Sequence, residues 1–350
     1  MASTRGSTAT MAGSRSAAER RRSTFEVAPP VTERVLARLG SPRALWIALW
    51  AAIGAFAPVV LLSAVVLTGA GDRVGSVWDV VTPQIAVAYA VVLSVWGAGR
   101  LTTGASALEP QLAMLAPPGR LVHVVPEKLT VGAPIALSLS LSIVSTAGLW
   151  VRYGPVPAVA VAPLVFASVV PIMTFVWTYL QLLLGLDRLG RVPLALDSFP
   201  EDRSLGLRDI GSLAFSGFLL LFGVALPIVA TSAANVSTVA VSLAVVGGTV
   251  AMFFLSMSRL HRQMADAKER HIATARRLYA DAYAPLAASA TPETLAMQAT
   301  MLTAAQGLSE RADRILAWPV DEGTTALVAI IATGVVTSVV VRLIFAAARL

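Results

Sequence analysis

Seven long apolar stretches constrain this chain more than any other feature of its sequence. Each exceeds 20 residues, and a helix of about 20 residues crosses a hydrocarbon core roughly 30 Å thick. The stretches lie at residues 44–69, 76–98, 130–151, 157–183, 211–232, 236–257 and 324–346. The sequence therefore predicts an all-α fold, a polytopic membrane helix bundle with about seven transmembrane helices.

The composition agrees with a surface that faces lipid. Charged residues make up 13% of the chain and hydrophobic residues 56%, whereas a soluble domain carries about 25% charged residues. The net charge is +7, but the basic residues fall between the spans and no pattern typical of DNA or RNA binding accompanies them. We therefore predict a lipid bilayer as the surroundings and no nucleic-acid partner.

The distribution of basic residues predicts the orientation. If the N-terminus is inside and all seven spans cross, 23 Lys and Arg residues fall inside and four fall outside, and cytoplasmic loops are enriched in these residues. Lysine occurs only at Lys128 and Lys268, and this bias towards arginine, with the high alanine content, indicates a GC-rich prokaryotic genome. We predict a multi-pass protein of a prokaryotic plasma membrane, with the N-terminus inside and the C-terminus outside.

The chain divides into four segments. The first is rich in Ser, Thr, Ala and Arg and has few apolar side chains, so it cannot bury enough surface to fold. The predicted segments are a disordered basic tail at 1–29, transmembrane helices one to six at 30–258 with inner loops at 100–129 and 187–210, a cytoplasmic helical hairpin at 259–323, and transmembrane helix seven at 324–350.

The hairpin is predicted from two helical arms of matched length. The first arm, 259–284, continues from span six, and the second, 292–318, begins at Pro292, a residue favoured in a first helical turn. The predicted antiparallel, coiled-coil-like seam consists of Leu260, Met264, Ala267, Ala275 and Leu278 on the first arm and of Leu295, Leu302, Ala305, Ala312 and Ile315 on the second. Because alanine buries little area, we expect the segment 259–318 to gain from a cytoplasmic protein partner or from a homo-oligomer.

Three groups of polar residues are candidate sites. Surface charges of the hairpin are candidates for partner binding, namely Arg262, Arg270, Arg277 and Glu310. The loop 187–210 carries nine charges of mixed sign, and its candidate inner-loop site consists of Asp197, Glu201, Asp202 and Arg203. Asp79 is the charged residue within span two, where a charge is costly and marks a candidate polar site at the mouth of a pathway.

The sequence lacks the residues and motifs that several kinds of chemistry require. The chain has no cysteine and three histidines, and His261 and His271 lie ten residues apart, roughly 15 Å along a helix, too far to share one metal ion. No phosphate-binding or dinucleotide-binding glycine motif is present. We therefore predict no metal, no cofactor and no catalytic residue of a known type.

Three functions remain open at this point. The contrast between nearly uncharged spans and a charged hairpin favours a non-enzymatic anchor, scaffold or signalling component that acts through the hairpin. The alternative is a channel or carrier for a small solute, with a pathway past Asp79 and the prolines of spans four and five. A lipid-handling membrane enzyme with its site in the loop 187–210 is the second alternative.

Overall fold

In the computed structural model, all secondary structure of the described residues is helical. The described residues are 43–69, 71–74, 76–115, 131–196, 203–231, 236–288, 292–316 and 318–319, together with isolated residues between 323 and 341. Seven helices are formed: α1 (Arg43–Leu67), α2 (Val77–Leu115), α3 (Gly132–Tyr153), α4 (Pro155–Leu189), α5 (Arg208–Thr231), α6 (Val236–Ala288) and α7 (Pro292–Arg314). A short 3₁₀ turn, Gly71–Arg73, joins α1 to α2.

Five of these helices are long and apolar enough to cross a membrane. The candidate spans are Ile47–Leu67, Val80–Leu112, Gly132–Tyr153, Pro155–Leu189 and Arg208–Ile228. The prediction of an all-helical fold is thereby confirmed for the described residues, and five of their helices are candidate membrane spans. The predicted sixth stretch, 236–257, forms the first part of α6. The predicted seventh stretch, 324–346, lies largely outside the described residues, and its described residues are helical.

Helix α2 continues to Leu115, so the first half of the segment predicted as the inner loop 100–129 is helical. The extension carries a helically spaced stripe of buried side chains, Leu101, Ala105, Leu108, Leu112 and Leu115. Packing of this stripe against the bundle keeps the chain helical beyond the predicted span. Residues 116–129 of the predicted loop lie outside the described residues.

Helix α4 is the centre of the bundle, since it packs against α1, α2, α3, α5 and α6. By contrast, only 17% of the apolar window of α3 is buried, compared with 44% for α5. A single residue, Gly154, separates α3 from α4, and its φ of 96° is a conformation that glycine adopts without steric cost. Helix α3 is therefore folded back on α4 and leaves most of its apolar surface outward.

Large side chains opposite glycines fill the core of the bundle. Phe175 and Tyr179 on α4 are fully buried. A Cβ at Gly97 of α2 would lie 2.8 Å from Phe175, and one at Gly217 of α5 would lie 2.5 Å from Tyr179. These glycines let neighbouring helices approach closely, as small residues do in membrane bundles.

Helix α6 continues beyond the bundle, and α7 folds back along it. Lys268 of α6 contacts the chain just beyond the end of α7, and Trp318 stacks on His261. Because residues 289–291 join the other ends of the two helices, α6 and α7 are antiparallel. Seven residues of the predicted seam are buried, namely Leu260, Met264, Ala267, Ala275, Ala305, Ala312 and Ile315.

The seam differs from the predicted one on both helices. Leu278 is 43% exposed, so its placement in the seam was wrong, and Ala282 is buried one turn further along α6. Leu302 is half-buried and Gln298 is buried. Leu295 lies among the residues whose side chains are not described.

Candidate functional site

Several polar contacts join α6 to the end of α4 where α6 leaves the bundle, and we call this region the junction. The side-chain amide of Gln263 donates from Nε2 to the carbonyl oxygens of Gly190 and Val192, each at 2.8 Å. Its Oε1 accepts a longer bond, 3.4 Å, from the backbone N–H of Leu194. Carbonyl groups at a helix end have no partner within their own helix, so Gln263 of α6 caps α4 from outside.

A shared carboxylate strengthens the same junction. Asp187 pairs with Arg191 at 2.7 Å and with Arg259 of α6 at 2.9 Å. A Cβ at Gly190 would lie 2.6 Å from the Cβ of Arg259. Helices α4 and α6 are therefore held in backbone contact at this point, and any larger residue at position 190 would separate them.

The returning end of α7 is fixed to the same region. The Lys268 ammonium donates to the carbonyl oxygens of Asp313 and Ile315 at 3.1 and 2.9 Å, a cationic cap of the kind that suits a helix C-terminus. The backbone N–H of Leu316 donates to the carbonyl oxygen of Arg203 at 2.9 Å. Both arms of the hairpin are thus bonded to the segment that joins α4 to α5.

The described residues of this segment are themselves packed into the end of the bundle. Leu205 and Leu207 are fully buried, and Leu196 is buried on the other side of the gap in the described chain. Leu205 has a φ of 52°, a left-handed conformation that is uncommon for a residue with a side chain. The described parts of the segment 187–210 therefore form an ordered base for the hairpin.

Two grooves open beside Gln263. The first has a volume of about 590 Å³ and is lined among others by Arg191, Asp266, Glu269 and Arg270. The second has a volume of about 620 Å³, and its lining includes Asp187, Leu255, Ser258, Arg259 and Arg262. Both grooves mix the two signs of charge, with two carboxylates in the lining of the first and one, Asp187, in that of the second.

A third feature lies farther out on the hairpin, near the 289–291 link. We call it the distal patch, and it comprises the exposed apolar side chains Leu278, Tyr279 and Tyr283 on α6 and Met297 and Met301 on α7. The rings of Tyr279 and Tyr283 stack with centroids 6.2 Å apart. Tyr283 lies 20 residues beyond Gln263, roughly 30 Å along the helix.

The structure distributes the predicted hairpin residues over separate surfaces. Arg262 lines the second groove and Arg270 the first, whereas Arg277 is exposed beyond both and Glu310 is exposed on α7. Fifteen residues separate Arg262 from Arg277, roughly 22 Å along α6. These charges do not converge on one point, so their role in binding stays a prediction.

The structure locates only some residues of the other predicted sites. Asp197, Glu201 and Asp202 lie outside the described residues, and Arg203 takes part through its backbone carbonyl. Asp79 lies in the first turn of α2, immediately before the candidate span that begins at Val80. The inner-loop site and the mouth site remain predictions.

Sequence reasoning missed the residues that hold the junction together. Asp187 and Arg191 stand four apart, and this spacing could have indicated their ion pair. Gln263 and Lys268 gave no such signal, because their partners are backbone carbonyl groups of distant segments.

Within the part of the chain that the structure describes, no group of three or more His, Cys, Asp or Glu residues is arranged to hold a metal ion. No protein family, curated protein or solved structure matches the chain. The junction, the two grooves and the distal patch are therefore the features of the molecule that point to a function.

Proposed function

We propose that the chain is a non-enzymatic membrane anchor whose α6–α7 hairpin binds a protein in the cytoplasm. The observation that carries the proposal is the distal patch, a set of large exposed apolar side chains on a hairpin whose surface also carries many charges. Exposed apolar patches on soluble surfaces mark interaction sites. The continuous helix α6 holds this patch away from the bundle, and the contacts of Gln263, Asp187 and Lys268 fix its direction.

The charges at the two ends of the bundle support a cytoplasmic hairpin. The end at the junction carries Arg188, Arg191, Arg208, Arg259 and Arg262, whereas the described residues of the opposite end include Arg73 and Arg152. By the positive-inside rule the junction faces the cytoplasm. The chain returns to the junction at Trp318, so the first part of α6 and the stretch 324–346 would complete seven crossings.

The filled core supports an anchor over a carrier. A pathway past Pro171 would meet Ile172 and Phe175, which are buried, as is Pro171 itself. Phe218 of α5 is fully buried and contacts Phe253 of α6, with ring centroids 5.4 Å apart. The carrier and the lipid-handling enzyme gain no support from the described residues, so the anchor is the function that we put forward.

The partner can be sought with a photo-crosslinking amino acid placed at Tyr283 or at Met301 of the full chain in cells. We expect discrete adducts at both positions, and mass spectrometry would identify either another protein or a second copy of the chain. The same amino acid at Val156, which is exposed at the opposite end of the bundle, is the control. Featureless crosslinks at both hairpin positions, or adducts identical to those at Val156, would overturn the proposal.

The orientation has a separate test because the chain contains no cysteine. Single variants Arg152→Cys and Asp281→Cys would be treated with a membrane-impermeant maleimide. In intact cells we expect labelling at position 152 alone, with position 281 reacting after permeabilisation. Labelling of position 281 in intact cells would contradict a cytoplasmic hairpin, and the unsubstituted chain measures the background.

A further inference from the structure

One face of α6 changes from apolar to basic at the point where the helix leaves the bundle. Met252 and Leu255 are exposed on this face, with Leu255 69% exposed. Arg259 and Arg262 follow at positions four and seven residues after Leu255, so all four share one side of the helix. The apolar side chains lie towards the bundle and the two guanidinium groups lie beyond them, about 6 and 10 Å from Leu255 along the axis.

The neighbouring helix carries the same change of polarity. On α4, Leu184 is 43% exposed and lies one turn before Asp187. Asp187 and Arg188 are the only charged residues of α4 and stand near its end, so the groove beside Asp187 lies where the uncharged part of this candidate span stops. The second groove, about 620 Å³ in volume, therefore has the exposed side chain of Leu255 at its apolar end and the two arginines Arg259 and Arg262 at the other.

The charges around this groove favour an anion. Asp187 is the carboxylate among the described residues that line it, and its two oxygens pair with Arg191 and Arg259. Arg259 bonds through Nε, which leaves its two terminal amino groups for another acceptor. Arg262 forms no ion pair with a described residue. The lining of this groove therefore has two guanidinium groups, Arg259 and Arg262, and one carboxylate, whose charge is shared with Arg191 outside the lining.

We propose that this groove binds the phosphate headgroup of an anionic phospholipid. Arg259 and Arg262 would hold the phosphate, and an acyl chain would lie along Leu255 and Met252. The Ser258 hydroxyl also lines the groove, where it donates to the carbonyl oxygen of Leu255 at 2.7 Å. Guanidinium groups recognise phosphate through two parallel hydrogen bonds, and basic pockets between helices on the cytoplasmic side bind such headgroups. The site is independent of any protein that the distal patch binds.

The test is native mass spectrometry of the full chain released from detergent, titrated with phosphatidylglycerol, with phosphatidylcholine of the same acyl chains, or with inorganic phosphate. We expect preferential binding of phosphatidylglycerol and about a fivefold loss of affinity in Arg262→Gln, because a basic residue near an anionic surface contributes about 1 kcal/mol. Arg262→Lys keeps the charge and is expected to retain most of the binding.

The matched control is Arg277→Gln, an exposed arginine of the same helix roughly 22 Å farther along it. That distance exceeds a Debye length of about 8 Å at physiological salt, so its affinity should change less than about twofold. Equal losses in Arg262→Gln and Arg277→Gln would overturn the site, as would equal binding of phosphatidylcholine. Binding of inorganic phosphate as strong as that of phosphatidylglycerol would overturn the lipid as the ligand.

Discussion

The bundle and the hairpin are both built from packed helices, but they pack in different ways. In the bundle, large rings lie against glycines, as Tyr179 lies against Gly217. In the hairpin, small residues face each other, with Ala267 and Ala275 on α6 and Ala305 and Ala312 on α7 all buried. The bundle therefore buries much more side-chain area at each contact than the hairpin does.

Because of this difference, polar bonds contribute a smaller share of the stability in the bundle than in the hairpin. The rings in the bundle are held mainly by close packing, and the Tyr179 hydroxyl adds one long hydrogen bond, 3.4 Å, to the carbonyl oxygen of Ala214. The hairpin seam contributes little area, so the contacts of Gln263 and Lys268 at its base carry a larger share of its stability. A partner at the distal patch would add to a region that is weakly held by itself.

The largest expected effect tests the packing of the bundle. Phe218→Ala removes a ring that is fully buried among other rings, and such truncations cost about 3–5 kcal/mol. The control is Phe56→Ala, the same change at a ring that is 62% exposed on α1, with an expected loss within about 0.5 kcal/mol. Unfolding of the purified chain in mixed micelles measures both. Equal losses would mean that the bundle core is not packed as described.

The second effect tests the alanine seam. Ala305→Leu places a branched side chain at a position that is 2% exposed, and overpacking costs about 1–3 kcal/mol. Ala304→Leu, one residue earlier and exposed, should change stability by less than about 0.5 kcal/mol. Hydrogen exchange of the α7 amides should accelerate in the first variant alone. Unchanged exchange in Ala305→Leu would show that α7 does not pack closely on α6.

The same contrast explains what the sequence could predict. The spans follow from runs of apolar residues, and the seam follows from helical spacing, so α1, α3, α4 and α5 and most seam residues could be read in advance. The continuation of α2 to Leu115 was missed, because its buried stripe is interrupted by polar residues such as Thr102 and Glu109. Leu278 was misplaced because Ala282, a smaller residue, takes the seam position one turn later.

The junction could not be predicted in the same way. Gln263 and Lys268 bond to backbone carbonyl groups, which every residue has, so no residue type at the other end reveals the contact. The two grooves arise only when α4 and α6 are brought together at Gly190 and Arg259. Positions of this kind depend on the packing of helices, not on a local pattern.

The third effect tests the cap on α7. Lys268→Met keeps the length of the side chain and removes both bonds to the carbonyl oxygens, which should cost about 1–2 kcal/mol for this half-exposed charged group. Exchange of the last amides of α7 should accelerate about five- to thirtyfold. Arg276→Met, an exposed cation of the same helix, is the control. Identical exchange in the two variants would mean that Lys268 does not hold the end of α7.

The smallest expected effect is a gain in stability instead of a loss. It is the sharpest test of how the hairpin seam differs from the bundle core. Gln298 is buried in the seam, and its Oε1 has no hydrogen-bond partner among the described residues. A buried acceptor without a partner loses its bond to water and gains nothing in return, so Gln298→Met should stabilise the hairpin by about 1 kcal/mol. Gln306→Met, at an exposed position of α7, should be nearly neutral. Slower exchange across α7 in Gln298→Met alone is the expected result. Destabilisation by Gln298→Met would mean instead that this amide makes a bond that the isolated chain does not contain, such as one to a second copy at the seam.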